Sequence, residues 1–365
     1  MPYISHELPK YPCERDMWDE LAAEHRPIVV YGMGNGADKL IERFDAYGIE
    51  IADFFASDGF VRGHSFHGKR VRSFSEIKEC YSEFVIVLSF ASNRTEVLDM
   101  LADIDSHYDM YVPDMPVAGT EEYFDREFFN SHYDSILEAY SRFTDKESQA
   151  AFSAVINYKL SGKMHYLEGA YSDRDDIYDL LPCDSIRAAV DAGAYNGDTA
   201  REAIRYFPSL EKILAIEPDA RNFKKLLRFA EESTVAINAV NAAAWCENTD
   251  GAFIGSGNRN SSVSSTASFE HRCEAVPLLR IDSLTDERID YIKYDVEGAE
   301  AEALIGSEGV ILRDRPAMLV SLYHRSRDVF SIVNDLCEKY PFYNLYLRRL
   351  RCVPAWELDL LLVPK

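Results

Sequence analysis

Two segments of the chain contain, in the same order, an apolar run, a turn with several glycines and an amphipathic helix. One covers residues 28–47 and the other residues 188–207, and further apolar runs alternate with helical patterns after each of them. Strands that alternate with helices in this way pair in parallel, and the helices cover both faces of the sheet. The sequence therefore predicts an α/β protein with two wound, Rossmann-like parallel sheets.

A different type of segment separates these two units. Residues 120–184 carry helix signals and no convincing strand, and Thr144 and Glu147 have the spacing of a capping box before an apolar helix that ends at Gly162. The segment is too apolar for a flexible tether, so we expect it to pack as a helical bridge or as a lid. The predicted division is a Rossmann-like nucleotide- or nucleotide-sugar-type domain at 1–118, a helical linker at 119–185 and a second α/β domain at 186–365.

Within the second α/β domain, the first strand is expected at 188–191. A turn at 193–197 follows it and leads into a helix that Asp198 or Thr199 is expected to cap. A segment rich in Gly, Ser and Asn at 255–268 is expected to be a surface loop, with a substrate flap as the alternative. Further strands are expected at 213–217, 235–240, 289–294, 318–323, 343–347 and 358–363.

Composition and charge exclude several classes of protein. The chain has 62 acidic and 39 basic residues, a formal charge of −23, so nucleic acids and anionic membranes would repel it. The longest apolar runs fall well short of the roughly 20 residues that span a bilayer, and residues 1–16 lack the apolar core of a signal peptide. The seven cysteines are scattered without a C-x-x-C pair. We therefore expect a cytoplasmic protein with reduced thiols, no nucleic-acid partner and no membrane span.

The turn after the strand at 188–191 is the strongest candidate for a ligand site. Ligands of wound sheets bind outside the carboxyl ends of the strands, and glycines such as Gly193 let them approach the backbone. Glu217 ends the next strand, at about the twenty-residue spacing from which an acid can hold a ribose. Asp191, which precedes the turn, would repel a pyrophosphate but suits a cationic ligand with a ribose, such as S-adenosylmethionine. The alternative is a wound domain whose tight turn binds no such ligand.

Several segments between residues 186 and 365 occur in an order that resembles the FkbM family of S-adenosylmethionine-dependent methyltransferases. They read VDAGAYNGDT, AIEPDARNFKKL, NAVNAAAW, IDYIKYDVEGAEAEALIG and LVSLYHRSRDVFSIVNDL. The closing run, YNLYLRRLRCVPAWELDLLLVPK, is similar to the final antiparallel strands of many members. The resemblance implies a seven-stranded methyltransferase fold and methylation of a hydroxyl oxygen, often on a sugar or polyketide.

The resemblance also implies which residues form the cofactor site. The set is Asp191, Gly193, Ala194, Gly197, Glu217, Asn222 and Asp295. Within it, the glycine turn would line the methionine end of the cofactor and Glu217 would hold the ribose. Tyr195 stands where Asn or His is more usual in this motif, so the neighbouring part of the pocket is expected to differ.

A sugar hydroxyl is a poor nucleophile while it is protonated, so a general base is expected near the acceptor. His324 is the first candidate because the ordinary pKa of a histidine lies near neutral pH, and Asp295 and Glu297 are further catalytic candidates. For Glu297 and Glu300 a structural role is the alternative, since acids are favoured in the first turn of a helix. Asp295, Glu297 and His324 also offer ligand types for Mg²⁺ or Mn²⁺. No ligand spacing demands a metal, so a divalent metal stays an alternative that is not favoured.

In the first domain, Gly32, Gly34, Gly36 and Ala37 fit the pattern G-x-G-x-x-A, and Asp58 follows at a distance typical of dinucleotide sites. With GKRVRSFSEI and FVIVLSFAS, this part is similar to Rossmann-like domains of sugar-modifying acyltransferases and methyltransferases. Three interpretations remain: a nucleotide-sugar site, an NAD(P) site and a structural fold that keeps its turn. The NAD(P) site ranks below the others because no residues for hydride transfer stand out.

Taken together, the sequence predicts an S-adenosylmethionine-dependent O-methyltransferase that acts on a sugar, a glycan or a related small molecule. A role in polysaccharide biosynthesis is expected. One alternative is a sugar-modifying enzyme that depends on NAD(P) or a nucleotide-sugar. The other is a non-catalytic protein that binds S-adenosylmethionine. The identity of the acceptor stays open, and so does assembly into a homo-oligomer.

Overall fold

The computed structural model describes residues 7–61, 63–117, 122–254, 262–264 and 273–365. In these ranges the α-helices are α1 (Met17–Ala22), α2 (Asn35–Tyr47), α3 (Phe74–Cys80), α4 (Thr95–His107), α5 (Arg126–Ser131), α6 (Tyr133–Arg142), α7 (Lys146–Ser161), α8 (Arg174–Tyr178), α9 (Asp198–Tyr206), α10 (Ala220–Glu232), α11 (Glu300–Ile305), α12 (Glu308–Asp314) and α13 (Asp328–Lys339). The strands of the N-terminal part are β1 (Ile28–Tyr31), β2 (Ile51–Ala56), β3 (Ser65–Phe66), β4 (Lys69–Arg70), β5 (Arg72–Ser73), β6 (Val85–Leu88) and β7 (Asp109–Tyr111). Those of the C-terminal part are β8 (Ala188–Ala192), β9 (Lys212–Ile216), β10 (Ala236–Val240), β11 (Ala243–Ala244), β12 (Thr249–Ile254), β13 (Ser262–Ser264), β14 (Cys273–Leu279), β15 (Tyr291–Tyr294), β16 (Ala317–Ser321), β17 (Tyr343–Arg349) and β18 (Leu358–Pro364).

The first wound sheet, called here the N-terminal sheet, has the strand order β5-β2-β1-β6-β7, and its strands pair in parallel. The central strands β1 and β6 are buried along their whole length, which explains their runs of Val, Ile and Leu. Helix α2 begins directly after Gly34 and ends at Gly48, which is left-handed with φ 66°. The predicted strand–turn–helix unit is therefore confirmed.

The middle of the chain is helical, as predicted: α5 to α8 cover it, and within residues 122–185 the structure has no strand. Helix α7 is buried along most of its length and packs against β17, and Gly162, with φ 63°, ends it. The predicted capping box is wrong. Asp145 caps α7 by accepting from the Ser148 amide at 2.8 Å, whereas the hydroxyl of Thr144 accepts from the Leu345 amide of β17 at 3.0 Å.

The second wound sheet, called here the C-terminal sheet, has the order β10-β9-β8-β15-β16-β18-β17. Strands β10, β9, β8, β15 and β16 are parallel, and β18 runs antiparallel between β16 and β17. The order reverses at β8, so a crevice opens beside its carboxyl end. The prediction of two wound sheets, the second with seven strands, is confirmed. The predicted cap of α9 is wrong, because Gly197, with φ 86°, is the N-cap residue and makes no side-chain cap.

A smaller sheet with the order β11-β14-β12-β13 was not predicted. Pro277 lies inside β14 and Gly251 inside β12, and both residue types weaken the strand pattern of a sequence. The loop predicted at 255–268 lies mostly outside the described residues, but 262–264 form β13 rather than a loop.

The two wound sheets share one core. A single cluster of buried apolar side chains contains Val29 and Phe55 of the N-terminal sheet together with Val190 and Ile292 of the C-terminal sheet. The domain boundaries predicted at 118 and 185 stay predictions. In the part of the chain that is described, none of the helices combines the length and the apolar character that a membrane crossing requires.

Candidate functional site

A cavity of about 910 Å³ lies at the carboxyl ends of the C-terminal sheet. Gly193 follows β8, Glu217 follows β9, Asp295 follows β15 and His324 follows β16 closely, and all four line this cavity. Asn222, near the start of α10, also lines it. The wound topology thus brings together side chains that lie far apart in the sequence.

The glycine turn after β8 is held by close backbone contacts. The amides of Gly193 and Ala194 both donate to the carbonyl oxygen of Ile216 at 3.0 Å. A Cβ atom at Gly193, which has φ 89°, would lie 1.9 Å from the carbonyl oxygen of Asp295, so only glycine fits there. The buried Ala194 does not line the cavity, nor does Gly197, where a Cβ atom would lie 2.5 Å from the Phe229 ring. Both residues are part of the turn, and their place in the cofactor site stays a prediction.

Asp191 lies at the buried end of β8 and does not itself line the cavity. Its Oδ2 accepts from the Thr199 hydroxyl at 2.5 Å, and its Oδ1 has no hydrogen-bond partner among the described residues. Burial raises the pKa of Asp191 to about 6, although the positive charge of Lys293 opposes the shift. A buried oxygen without a donor is a favourable place for a cationic or amino group.

The carboxylate of Glu217 is 5% exposed and is oriented by the backbone. It accepts from the Tyr195 amide through Oε2 and from the Asp219 amide through Oε1, each at 2.8 Å. Burial raises the pKa of Glu217 to about 8, although these two amides oppose the shift. Each oxygen keeps a further lone pair, so the carboxylate can accept from two hydroxyl groups on a ligand.

His324 is 1% exposed and lies among three carboxylates. Its Nδ1 is 2.9 Å from Oε1 of Glu300, and its Nε2 is 3.6 Å from Oδ1 of Asp295 and 3.7 Å from Oε2 of Glu297. Burial alone would lower the pKa of His324, but Glu300 and then the other two carboxylates raise it to about 9. The expectation of a near-neutral pKa is therefore wrong, whereas the three predicted catalytic residues do lie together.

Glu300 has a position that the sequence did not predict. It is fully buried at the start of α11, and its Oε1 accepts from the amides of Val296 and Gly298 at 2.9 and 3.4 Å. The structural role expected for an acid in the first turn is present. The same oxygen also forms the ion pair with His324, so Glu300 determines the orientation of the imidazole ring.

Asp295 interacts with two side chains besides His324, those of Lys293 and Tyr323. Its Oδ2 is 2.8 Å from Nζ of Lys293, and its Oδ1 accepts from the Tyr323 hydroxyl at 3.2 Å. Burial alone would raise the pKa of Asp295, but the charges of Lys293 and His324 lower it to about 2. Asp295 is therefore ionised throughout the working pH range and is a weak proton acceptor.

Part of the cavity wall consists of residues that the sequence analysis missed. In the closing run these are Trp356, Glu357 and Asp359, and the remaining ones include Arg174, Glu202, Ala91, Asn93 and Val117. Arg174 lies 2.9 Å from Glu202 and 4.0 Å from Glu357. The only available signal was the polar sequence Trp-Glu-Leu-Asp in an otherwise apolar closing run.

Backbone conformation also marks this cavity. In the described chain, five residues other than glycine have positive φ, and three of them line the cavity: Tyr195 at 47°, Glu297 at 55° and Glu357 at 56°. A side chain with a Cβ atom rarely adopts this conformation unless its surroundings impose it. Such strain clusters at functional sites, which supports a binding role for the cavity.

The ligand atoms of Asp295, Glu300 and His324 lie within 4.8 Å of one another and could enclose a metal ion. Lys293 already neutralises Asp295, and the raised pKa of His324 favours the protonated ring, which cannot ligate a metal. We therefore expect turnover to be unchanged, within about twofold, after exhaustive treatment with EDTA. A larger loss that Mg²⁺ or Mn²⁺ restores would contradict this expectation.

The sheet order and the cavity at its switch point define the class: this is the seven-stranded methyltransferase fold that the sequence resemblance implies. Residues 191–350 match the family described as the methyltransferase FkbM domain. The C-terminal part of this chain is therefore similar to the FkbM methyltransferase domain.

Comparison with solved structures supports the fold of the whole chain. The structure of an FkbM methyltransferase from Methylobacillus flagellatus KT is similar with a TM-score of 0.68, at 19% identity, over 92% of this chain and 90% of that chain. Fibrillarin of Aeropyrum pernix, solved with natively bound S-adenosyl-L-methionine, has a TM-score of 0.33, at 15% identity, over 50% of this chain and 69% of that chain. The last score is too low to support any argument. A comparison with curated protein sequences gives no match.

Proposed function

We propose that this protein is an S-adenosylmethionine-dependent methyltransferase that methylates a hydroxyl group of a sugar, a glycan or a related small molecule. The observation that carries the proposal is that the backbone-oriented carboxylate of Glu217 and the buried imidazole of His324 line the same cavity. The carboxylate of Glu217 can bind a ribose, and the imidazole of His324 can accept a proton. The FkbM domain supports the reaction class.

The residues of the cavity fit this cofactor. When bound, S-adenosylmethionine supplies an electrophilic methyl group on a positively charged sulfur. Glu217 would accept hydrogen bonds from the ribose hydroxyls, and Gly193 and Asn222 line the same cavity. The unpartnered Oδ1 of Asp191 adds negative charge beside the glycine turn, which suits the cationic part of the cofactor.

His324 is the proposed general base. Its Nε2 would take the proton from the acceptor hydroxyl, while Glu300 holds the opposite nitrogen in place. The carboxylates of Asp295 and Glu297 lie near Nε2 and would stabilise the imidazolium that forms. Much of the remaining work of such a site is the alignment of the nucleophile and the exclusion of water.

Isothermal titration of the full chain tests the cofactor. We expect one molecule of S-adenosylmethionine to bind per chain, and NAD(P) and nucleotide-sugars to show no comparable affinity. Tight binding of NAD(P), together with a change in nicotinamide absorbance on turnover, would replace the proposal with an oxidoreductase. Binding of S-adenosylmethionine without a methylated product from any hydroxylated acceptor would leave only a binding protein.

The side chains also bear on where the protein works. The cysteines whose side chains the structure describes are free thiols: Cys13, Cys80, Cys183, Cys246, Cys337 and Cys352. Free thiols are typical of a reducing compartment, which supports the proposal of a cytoplasmic protein. The charge of −23 supports a small-molecule or glycan acceptor over a nucleic acid.

Replacing Glu300 with glutamine tests how His324 is positioned. The substitution removes the negative charge nearest to Nδ1, so the pKa of His324 should fall. We expect the rising limb of the profile of kcat/KM against pH to move to a pH about one unit lower. Glu308→Gln, at a half-exposed position of α12, is the control and should leave the limb in place. An unmoved limb in Glu300→Gln would contradict the positioning role.

A further inference from the structure

The glycine turn of the N-terminal sheet is used for packing. A Cβ atom at Gly36 would lie 2.1 Å from the carbonyl oxygen of Ser89. One at Gly32 would lie 2.7 Å from Oγ of Ser89 and 2.8 Å from the ring of Phe90. Two of the three glycines therefore let the segment after β6 approach the turn. This close packing explains why glycine occurs at both positions, so a phosphate-binding role is not needed to explain them. Gly34, with φ 95°, has open space around it.

The segment that packs on this turn continues into the cavity. The exposed side chains of Ala91 and Asn93 line it, and Val117, which follows β7, lines it as well. Ser92 lies between the first two and exchanges two backbone hydrogen bonds with Val353, at 2.7 and 2.9 Å. The carboxyl edge of the N-terminal sheet is thus fixed against the closing run of the chain, opposite the carboxyl edge of the C-terminal sheet.

The cavity wall carries many more acidic than basic side chains. Among the described residues, the wall has the carboxyl groups of Asp198, Glu202, Glu217, Asp219, Asp295, Glu297, Glu357 and Asp359 and the basic groups of Arg174, Lys293 and His324. Each of the three basic groups lies within 2.9 Å of a carboxylate, so no cation there is available to a new anion. Burial raises the pKa of Glu217 to about 8 and that of Asp359 to about 7. Without those two, the wall still has six carboxyl groups against three basic groups.

We propose that the N-terminal sheet supplies one wall of the acceptor subsite, through Ala91, Asn93 and Val117, and that the acceptor is a neutral or amine-bearing polyhydroxyl compound without a phosphate group. This inference rests on the proposed function for the identity of the reaction. An acceptor phosphate would lose its hydration in the cavity without gaining a free cation, and buried charges without partners are strongly unfavourable. Hydroxyl and ammonium groups, by contrast, find carboxylate acceptors on the wall.

Charged thiol reagents test the wall without a known acceptor. In the full chain carrying Asn93→Cys, the cationic, neutral and anionic methanethiosulfonates are applied separately, and each modified cysteine is located by mass spectrometry. The native Cys80, which is exposed, is the internal control. Relative to Cys80, we expect the cationic reagent to be favoured over the anionic one by about tenfold or more at low salt, with the preference decreasing as salt increases. Ala91→Cys provides a second site with the same expectation.

Three results would overturn the inference. They are equal charge preferences at both positions, a preference for the anionic reagent, and failure of the introduced cysteine to react with the neutral reagent. A second arm uses sugars on the S-adenosylmethionine-loaded protein: glucosamine should slow the labelling more than glucose 6-phosphate does, and the reverse order would overturn the acceptor class. The charge preference of the reagents is measured without cofactor and tests the inference about the wall. Titration of the same variants with S-adenosylmethionine tests the proposed function. Failure of the inference can therefore be distinguished from failure of the proposed function.

Discussion

His324→Ala is expected to lower kcat about a thousandfold, while the Kd for S-adenosylmethionine changes by less than about threefold. The imidazole is the only cavity-lining group among the described residues that is both oriented by a buried carboxylate and basic enough to accept a proton efficiently. Single-turnover rates and isothermal titration measure the two quantities. Equal activity of this variant with the correct acceptor would dismiss His324 as the base.

The pH dependence separates His324 from Asp295 as the base. A base must be unprotonated before it accepts a proton, so kcat/KM should rise with pH and level off above about 9, the raised pKa of His324. If Asp295 were the base, its pKa of about 2 would give a flat profile from pH 5 to 9. A limb centred near 9 therefore identifies His324, because ionisation of Glu217 or Asp359 would place a limb near 8 or 7 instead.

A folding control accompanies this variant. Loss of the imidazolium leaves Glu300 buried without its partner, and an unpaired buried charge destabilises a protein. His324→Gln keeps a polar side chain of similar size, and its Tm shows whether the loss of turnover comes from unfolding. His107→Ala, at an exposed position on α4, should leave kcat unchanged.

Glu217→Gln is expected to weaken the binding of S-adenosylmethionine about ten- to a hundredfold. Hydrogen bonds to a charged group are worth about 1.5–3 kcal/mol, and about 1.4 kcal/mol corresponds to a tenfold change in Kd. The full effect is expected above the raised pKa of Glu217, about 8, where its carboxylate is ionised. In the unmodified protein, the backbone amides of Tyr195 and Asp219 both donate to the Glu217 carboxylate at 2.8 Å. The side-chain NH₂ of a glutamine would face one of these donors and could not accept its hydrogen bond. Isothermal titration of the full chain measures the change.

The matched control for Glu217→Gln is Glu232→Gln, which makes the same chemical change at the exposed end of α10. Its Kd should equal that of the unmodified protein. An unchanged Kd in Glu217→Gln would contradict the proposed contact between Glu217 and the ribose of the cofactor. A Tm close to that of the unmodified protein would confirm that weaker binding is not a consequence of unfolding.

The positions of Gly193, Glu217, Asp295 and His324 could be predicted because each follows an apolar run that reads as a strand. In a parallel sheet, the carboxyl ends of the strands meet at one edge, so the side chains that follow them lie close together. Asn222 came from the resemblance to the FkbM family and not from the strand pattern. Local pattern is sufficient for these residues, because the geometry of a wound sheet is the same in every protein that has one.

Other features depended on contacts between distant segments. Asn93 and Trp356 belong to the cavity because the segment after β6 pairs with the closing run, and neither has a local signal of function. The smaller sheet escaped prediction because Pro277 interrupts its pattern. The raised pKa of His324 depends on Glu300, whose expected role in the first turn of α11 gave no indication of an ion pair with His324.

The amino-acid sequence alone determined that the chain forms two wound sheets, with glycine turns and acidic side chains after their strands, because strand and helix periodicity and the freedom of glycine are local properties. Only the tertiary structure decided that the carboxyl edges of both sheets face one cavity, that its wall is acidic and that His324 is held among three carboxylates. The physical reason is that burial and Coulomb interactions depend on distances through space between residues separated along the chain.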